Sequence, residues 1–382
     1  MLAIKNATLV MKNHLIPEAV LLVEDGVIKD FGPARKLAIP EGAEAIDAEG
    51  EFVGPGFIDI HTHCGDNILF EDDPVGASKG HLMKGTTTVL PTLYFSMTTQ
   101  EFVDAIHKLK DAMKNPECAN IGGLYMEGPY MNPKFGADRE NNPWQGPINK
   151  ADYMPILEAA GDVVRVWGLA PEREHILDFV LDAKKVNPNV AFSVAHSEAA
   201  PEDIEALMPY GLRIGTHHTN ATGNREKYPE VRGVCVDETV NYNSEIYAEL
   251  ICDRIGIHVD PYNLRLIRKI KGEERIILIS DAYPADGPVP DNDGYIGAYD
   301  IGFDHAGEIA GTKLTLNVAC RNMMVHTGAS IVDVFRYASY NPAKAVGFTD
   351  RGEIAIGKRA DLVIADYKMN INKVIMKGVV QK

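Results

Sequence analysis

The sequence has no apolar run long enough to cross a bilayer, and it has few cysteines for its length. No stretch of about 18 consecutive apolar residues occurs among the 382 residues, so no membrane-spanning helix is predicted. The five cysteines are scattered without Cys-x-x-Cys spacing, which indicates reduced thiols rather than a disulfide framework. The first residues also lack the charged, apolar and cleavage regions of a signal peptide, so we expect a cytoplasmic protein without a membrane partner.

Basic residues are scarce relative to acidic ones. The chain has 38 Lys and Arg against 54 Asp and Glu, and its formal net charge is −16. Such a chain repels the phosphates of nucleic acid, so we expect no nucleic-acid partner. Hydrophobic residues make up 45% of the sequence, which is enough to bury a large core.

The middle of the chain alternates short apolar runs with longer helical stretches. The eight runs are GFIDIHTH, GTTTVLPTL, ANIGGLYMEGPY, VVRVWGLAPE, NVAFSVAHSEA, GLRIGTHHTN, IYAELICDRIGIHV and RIILISDAYPADG. Near-continuous apolar strands separated by helices are typical of a parallel sheet that is buried on both faces. Eight such units close a TIM-type (β/α)₈ barrel, which we predict over residues 55–347 of an α/β protein. An open doubly wound sheet is the main alternative, but no Gly-rich phosphate loop follows the first strand.

The two ends of the chain share a different pattern. Residues 1–54 contain short strand segments separated by Gly, Pro, Asn and Asp turns, and the same style returns in residues 348–382. Neither end has a partner of its own to pack on, and the termini of a domain tend to lie close together. We therefore predict that both termini form one small β-sandwich domain.

Six potential metal-site residues lie at the ends of the predicted strands. They are His61, His63, Glu127, His196, His217 and Asp281. Residues two apart on a strand point to the same face, so His61 and His63 can hold one ion together. Because barrel enzymes build their sites at the carboxyl ends of the strands, we expect all six side chains to meet at one mouth. Imidazoles and carboxylates favour a transition-metal site, and their number suits two ions that are bridged by Glu127 and activate water.

A structural role is the alternative for each histidine taken alone. A single histidine at a strand end is more often hydrogen-bonded scaffold than a ligand, but six candidates that all end strands are harder to explain that way. His218 adjoins His217 and should point in the opposite direction. Cys64 follows the His61–His63 pair and is interpreted as a neighbour of the site, since cysteine ligands usually occur in sets.

The motifs resemble a known family. PGFIDIHTH, followed by strand-end His, His and Asp, resembles the amidohydrolase superfamily. MEGPYMNP, GLAPE, AHSEA, THHTNAT, GIHVDPYNLR, ISDAYPADG and IAGTKLTLNVACRN are similar, in that order, to the N-acetylglucosamine-6-phosphate deacetylase family over almost the whole chain. The resemblance implies an enzyme that binds one or two divalent ions, zinc or iron. It also implies hydrolysis of an N-acetyl amino sugar phosphate to acetate and the free amino sugar phosphate, by a homodimer.

The same resemblance implies a role for individual residues. Glu127, His196 and His217 match the metal ligands of the family, and Asp281 matches its catalytic carboxylate. The His61–His63 pair matches the pair that is present in members with two metals. The residues that match substrate contacts, or replace them, are Ala137, Asn220, Ala221, Arg225, His258, Ile309, Ala310 and Gly311.

The chain also departs from the family pattern. Tyr228 stands where the family has a phosphate-binding arginine, so Arg225 or Arg232 would have to replace it from a shifted loop. The run Phe135-Gly136-Ala137-Asp138 replaces Lys-Gly-Ala-Gln or Lys-Gly-Thr-His, and the glycine cluster usual after the first strand is missing. A superfamily hydrolase for another N-acyl sugar, an N-acyl amino acid, a urea or a cyclic amide is therefore an alternative. Such relatives often bridge their metals with a carboxylated lysine at the fourth strand, but that strand here, RVWGLAPE, contains no lysine. A non-catalytic scaffold protein is a third alternative, and it would leave the clustered ligands without a role.

Overall fold

The computed structural model describes residues 1–382, and its elements are numbered here in chain order. The strands are β1 (Leu2–Val10), β2 (Leu15–Glu24), β3 (Val27–Pro33), β4 (Glu44–Asp47), β5 (Phe52–Pro55), β6 (Phe57–Thr62), β7 (Cys64–Gly65), β8 (Ile68–Leu69), β9 (Thr86–Tyr94), β10 (Leu124–Glu127), β11 (Val164–Leu169), β12 (Ala191–Val194), β13 (Leu212–Gly215), β14 (Glu226–Tyr228), β15 (Val231–Arg232), β16 (Tyr247–Ile251), β17 (Ile276–Ile279), β18 (Ile301–Phe303), β19 (Ile309–Thr312), β20 (Leu362–Ala365), β21 (Ile371–Met376) and β22 (Val379–Val380).

The α-helices are α1 (Pro74–Leu82), α2 (Thr99–Ala112), α3 (Lys150–Ala160), α4 (Ile176–Val186), α5 (Pro201–Leu207), α6 (Val236–Tyr242), α7 (Pro261–Lys271), α8 (Leu316–Thr327), α9 (Ile331–Phe335) and α10 (Asn341–Ala345). Short 3₁₀ turns cover Pro116–Cys118, Arg139–Asn141, Met208–Tyr210 and Asp293–Tyr295, and a π-helical turn covers Arg336–Tyr340. No helix combines the length and the apolar character that a crossing of the bilayer requires.

Eight parallel strands form the barrel. Their order around the sheet is β6, β9, β10, β11, β12, β13, β16 and β17, which are the eight runs identified in the sequence. At the seam the N–H of Asp281 donates to the carbonyl of His61 (3.0 Å), and the N–H of Ser280 donates to Oδ1 of Asp59 (3.3 Å). These bonds hold β17 against β6, so the barrel is nearly closed. The predicted barrel class is confirmed.

The barrel strands are buried on both faces, which explains why they are apolar almost throughout. An inner cluster of 15 buried residues, among them Ile60, Tyr125 and Ile277, fills the centre of the barrel. An outer cluster of 64 buried residues lies between the strands and the surrounding helices. The helices bury one face each; α2, for example, begins at a capping box in which the N–H of Thr98 donates to Oε2 of Glu101 (2.7 Å).

Both ends of the chain form a second, mixed sheet. Its order is β22, β21, β20, β5, β1, β2 and β3, with β4 paired to β1. The two ends meet where β5 runs antiparallel to β20, with Gly54 opposite Val363. Leu21 and Ile28 from the first arm share one apolar cluster with Ile364 from the second, so the sheet curls over its own core. A small β domain built from both termini is confirmed, while the limits 1–54, 55–347 and 348–382 stay a prediction.

Candidate metal centre

The six side chains predicted from the strand ends gather at the carboxyl mouth of the barrel. His61 lies in β6 and Glu127 ends β10, whereas the other four lie just past the ends of their strands. All six are at most 9% exposed: His61, His63, Glu127, His196, His217 and Asp281. Six polar side chains buried at one point require compensating partners or a bound cation.

Glu127 stands between two pairs of histidines. Its Oε2 lies 3.4 Å from Nε2 of His61 and 3.2 Å from Nε2 of His63. Its Oε1 lies 2.7 Å from Nε2 of His196 and 3.1 Å from Nε2 of His217. The ligand atoms of each group lie within 4.8 Å of one another, so one carboxylate serves two groups of donors. Imidazole nitrogen with carboxylate oxygen is a donor set for zinc or other transition metals.

Three of the four ring nitrogens that face away from Glu127 are held by the surrounding structure; Nδ1 of His196 has no partner. Nδ1 of His61 lies 3.2 Å from Oε2 of Glu249, and Nδ1 of His63 lies 3.1 Å from the carbonyl of Thr92. An acceptor at Nδ1 places the ring proton there, which leaves Nε2 free to act as a donor of electrons to a metal. Nε2 of His61 and Oε2 of Glu127 are buried and have no hydrogen-bond partner, which fits a site that holds divalent ions.

The charges of the site favour a cation. Burial alone would lower the pKa of His63, but hydrogen bonds to Asp281 and Glu127 raise it to about 9. Burial alone would raise the pKa of Glu127, but the positive charge on His61 and the hydrogen bonds of His196 and His217 hold it well below its usual value. Without a metal ion, protons on the histidines balance the ionised carboxylates, and a divalent cation that displaces those protons would supply the same positive charge.

Three of the six residues have a left-handed backbone. The φ angles are +44° at His196, +27° at His217 and +46° at Asp281. This conformation is unfavourable for residues with a Cβ, and it persists where the surrounding structure imposes it, commonly at functional sites. Here the turn after each strand directs the side chain back across the mouth.

Glu249, in the middle of β16, is a buried carboxylate that the sequence reasoning missed. Besides His61, it contacts the N–H of His217, which donates to its Oε2 (3.3 Å). Tyr247 and Ile251, two residues to either side, belong to the apolar cluster inside the barrel. The signal that could have identified it is a charged residue within the otherwise apolar strand YAELI, on the face that points into the barrel.

Two neighbours that the sequence analysis set apart from the ligands lie outside the donor groups. Nε2 of His218 lies 3.1 Å from Oδ1 of Asn241, on the other side of the strand end. Cys64 is buried beside the site, but its thiol belongs to neither group of candidate ligands. The donor set consists of imidazoles and carboxylates.

β19 brings a predicted substrate-contacting segment, Ile309, Ala310 and Gly311, to the centre. The N–H of Thr312 donates to the carbonyl of Asp281 (2.8 Å), which ties the end of the segment to the strand-eight turn. Gly311 has φ +63°, and a Cβ built there would lie 2.7 Å from the carbonyl oxygen of Asp281. The backbone at position 311 therefore passes so close to Asp281 that a side chain larger than that of glycine does not fit without movement.

Three further predicted contacts also lie at the mouth. The carbonyl of Asn220 is 3.2 Å from Nδ1 of His217, and the carbonyl of Ala221 accepts from the N–H of Ser197 (3.1 Å). The carbonyl of Ala137 accepts from the hydroxyl of Tyr94 (3.1 Å). The ring of Tyr94 in turn lies edge-on to that of His63, with 5.7 Å between centroids. These contacts line the approach to the donor groups.

The structure gives Arg225 and His258 no contact with the six residues of the centre. Arg225 is exposed at the base of the β14–β15 hairpin, where its carbonyl accepts from the N–H of Gly233 (2.7 Å). Arg232, the other candidate, is paired with Glu238 (2.6 Å). His258 is buried and its N–H donates to Asp253 (2.8 Å).

A nearly closed parallel barrel with buried histidines and carboxylates at its carboxyl mouth defines the class of metal-dependent hydrolases. The model of the Amidohydrolase family matches residues 52–380. The chain therefore belongs to the amidohydrolase family and is a metal-dependent enzyme of that family.

Characterised relatives resemble the chain over nearly its full length. The N-acetylglucosamine-6-phosphate deacetylase of Bacillus subtilis (strain 168) is 28% identical, over 99% of this chain and 96% of the relative. The N-acetylgalactosamine-6-phosphate deacetylase of Escherichia coli O157:H7 is 26% identical, over 96% of this chain and 98% of the relative.

Solved structures agree with the fold. The N-acetylglucosamine-6-phosphate deacetylase of Pasteurella multocida superposes with a TM-score of 0.86 at 25% identity, covering 99% of each chain. A mutant N-acetyl-D-glucosamine-6-phosphate deacetylase of Mycobacterium smegmatis, in complex with N-acetyl-D-glucosamine-6-phosphate, superposes at 0.81 and 26% identity, covering 99% of this chain and 98% of that one.

Proposed function

We propose that the protein removes the acetyl group from an N-acetyl amino sugar phosphate, with N-acetylglucosamine 6-phosphate as the first substrate to test. The observation that carries the proposal is the position of Glu127 between two histidine pairs, with Asp281 beside the first pair. Oδ1 of Asp281 lies 3.4 Å from Nε2 of His63 and 3.6 Å from Nε2 of His61. The relatives of known activity and the structure with bound sugar phosphate support this substrate class.

Each residue of the centre has a part in the proposed reaction. Glu127 and the four histidines would hold one or two divalent ions, which lower the pKa of water and polarise an amide carbonyl when bound. Asp281 is the base: burial alone would raise its pKa, but the positive charges on His61 and His63 hold it well below the usual value, so the carboxylate is ionised. It takes a proton from the attacking water and passes it to the departing amine nitrogen. Water and the amide thereby give acetate and the free amine.

The segments around the centre are the proposed walls of the sugar site. Ile309–Gly311 is hydrogen-bonded to Asp281 through Thr312, and Asn220 lies beside His217. The Nδ2 group of Asn220 is buried without a partner and is available to a polar substrate atom. Arg225 makes no ion pair, unlike Arg232, so we assign it to the phosphate, together with His258. The homodimer that the family resemblance implies also stays a prediction.

A substrate panel tests the proposed activity. Acetate release is measured from the 6-phosphates of N-acetylglucosamine and N-acetylgalactosamine, from the unphosphorylated sugars, and from an N-acetyl amino acid, with metal content determined in parallel. We expect the phosphorylated sugars to have the higher kcat/KM. Equal values for phosphorylated and unphosphorylated sugars would eliminate the phosphate site, and turnover of the amino acid derivative alone would move the enzyme to the alternative substrate class.

The role of Asp281 has its own test. Asp281→Asn keeps the size of the side chain but removes the base, so turnover should fall by at least about 10²-fold, the usual contribution of a general acid–base group. Bound metal, measured by elemental analysis, should stay close to that of the unmodified protein because Glu127 and the four histidines remain. Near-normal turnover of the variant would show that another group carries the proton.

A further inference from the structure

A second cleft lies at the opposite end of the barrel from the metal centre. It has a volume of about 800 Å³ and opens between the amino ends of β10 and β11 and the terminal sheet. The barrel contributes Gly122 and Arg165 to its lining, the segment after α10 contributes Phe348, and the terminal domain contributes Arg359 and Lys377. The cleft is therefore formed only where the two parts of the chain meet.

The cleft is basic although the protein is acidic. Acidic residues outnumber basic ones by 54 to 38 in the chain as a whole. The lining contains a single carboxylate, Asp350, against five cationic side chains: Lys114, Arg165, Arg351, Arg359 and Lys377. A concave surface that concentrates charge of one sign attracts ligands of the opposite sign.

Arg165 and Arg351 are held on the same aromatic ring. Their guanidinium carbons lie 5.0 Å and 4.4 Å from the centroid of Phe348. Arg165 donates only through Nε, to the carbonyl of Gly122 at 3.4 Å, and forms no ion pair. Burial lowers the pKa of the Arg165 guanidinium, and the charge on Arg351 lowers it further. No hydrogen bond occupies the Nη groups of Arg165, and the carboxylates that act on its guanidinium, Asp162 and Asp350, do so from beyond ion-pair distance.

The acidic groups near the cleft are already occupied. Asp350 accepts from Nε and Nη2 of Arg351, at 2.8 Å and 3.0 Å. Asp361 lies 2.7 Å from Nη2 of Arg359, whose Nε is buried without a hydrogen-bond partner. Lys114 has a partner outside the cleft, Asp111 (2.7 Å), whereas Arg165 and Lys377 form no ion pair.

We propose that this cleft binds a small molecule carrying two or more negative charges, as phosphate or carboxylate groups, with Arg165 as its principal contact. A guanidinium fork binds either group through two parallel hydrogen bonds, and the cleft volume is in the usual range for small-molecule sites. The ligand would bridge the barrel and the terminal sheet. This site is separate from the proposed active site and does not depend on the substrate assigned there.

Calorimetric titration of the full-length, metal-loaded protein tests the proposal. The probes are glycerol 2-phosphate and tricarballylate, which distinguish phosphate from carboxylate, with sodium chloride at matched ionic strength as the reference. We expect at least one probe to bind, and Arg165→Gln to weaken that binding by about tenfold, which corresponds to the loss of one charged contact. Any binding of a probe at the metal centre is the same in the unmodified protein and in Arg165→Gln, so it does not contribute to the difference between them.

Two further variants keep the result interpretable. Arg275 also stacks on an aromatic ring, that of Tyr247 at 4.9 Å, but it lies outside the cleft and pairs with Glu245 (3.6 Å). Arg275→Gln should therefore bind like the unmodified protein. Lys377 is exposed, so Lys377→Gln should fold normally and bind several-fold more weakly. Absence of binding by either probe, or equal binding by Arg165→Gln, would overturn the proposal, as would an equal loss in Arg275→Gln.

Discussion

At the scale of single residues, the geometry of the metal centre depends on what lies behind the donors. Glu127 divides its two oxygens between two histidine pairs, and the other ring nitrogens of His61, His63 and His217 have partners of their own. The clustering of the candidate ligands at the strand ends could be predicted because the carboxyl ends of parallel strands converge. The contact of Glu249 with His61 could not be predicted in this way, because Glu249 lies inside a strand and reaches the candidate ligands only in the closed barrel.

Glu249 should contribute to metal affinity without being a ligand. Glu249→Gln removes the negative charge that orients His61, so affinity for a divalent ion should fall about 10- to 100-fold, as measured by titration against a chromophoric chelator. Asp59 provides the control: it is equally buried and accepts from the backbone N–H of His61 (3.4 Å) rather than from the ring. Asp59→Asn should keep the metal affinity. Equal losses in both variants would show a general effect of buried charge.

Gly311 should matter for activity because of its distance from Asp281. Gly311→Ala places a Cβ 2.7 Å from the carbonyl of Asp281, so β19 must move and acetate release should fall by about 10²-fold. Gly307, in the turn of the same hairpin, has a similar φ of +78°, but its Cβ would meet only Pro290, at 3.4 Å. Gly307→Ala carries the same left-handed strain, about 1 kcal/mol, and should retain activity. Loss of activity in both would point to the hairpin as a whole.

At the scale of helices and strands, the sequence predicts the elements whose burial follows a regular pattern. It does not predict the short hairpins within the loops. The eight barrel strands were identified because burial on both faces makes them continuous apolar runs. The β14–β15 and β18–β19 hairpins were not, since their strands have only two to four residues and carry no regular pattern; Glu226–Tyr228 is exposed throughout, whereas Ile301–Phe303 is buried. Arg225 precedes β14 and Asp138 lies in the loop that follows β10, so their orientation toward a substrate could not be derived from spacing.

One carboxylate forms the polar link between α3 and α4. Oδ2 of Asp182 accepts from the hydroxyl of Tyr153 (2.9 Å) and from Lys150 (2.7 Å), and Oδ1 accepts from Lys185 (2.8 Å). The lysines are 63% and 74% exposed and contribute little, so most of the effect comes from the buried tyrosine bond. Asp182→Ala removes the acceptor of the Tyr153 hydroxyl and should lower the free energy of unfolding by about 1–2 kcal/mol at neutral pH, measured with urea.

This difference should depend on pH in one direction. Hydrogen bonds from Lys150, Lys185 and Tyr153 hold the pKa of Asp182 well below its usual value of 3.8. A lowered pKa stabilises the fold above the unfolded-state value and loses that effect as the pH falls through the folded-state value. The gap between the two proteins should be constant from about pH 5 to 8 and shrink below about pH 4. Asp111→Asn, in an exposed pair with Lys114, is the control and should change stability by less than about 0.5 kcal/mol.

At the scale of the whole molecule, the terminal sheet is joined to the barrel through β5. Gly54 pairs with Val363 in the sheet, and a Cβ added to it would lie 2.2 Å from the ring of Phe335, which is buried beside the barrel. The meeting of the two chain ends could be predicted from their shared strand pattern. The basic cleft could not, because it exists only between the assembled parts.

A substitution in the terminal sheet should therefore destabilise the barrel. Gly54→Ala should cost about 1–3 kcal/mol of overpacking, whereas Gly32→Ala, with nothing within 4 Å, should stay within about 0.5 kcal/mol. Both tryptophans, Trp144 and Trp167, are buried among the barrel residues and report on its unfolding through their fluorescence. We expect their urea transition to shift in Gly54→Ala. A shift seen only by circular dichroism would mean that the two parts unfold separately.

The pairing of β5 with β20 also imposes an order on biosynthesis. β5 leaves the ribosome early, whereas its partner is made some 310 residues later, which takes about 15–60 s at usual rates of translation. Throughout this interval the barrel can assemble, but one edge of the early strands has no neighbour and is open to pairing with other nascent chains. β20 covers that edge when it pairs with β5, so a ribosome that stalls before β20 releases a barrel whose terminal sheet has an unpaired strand.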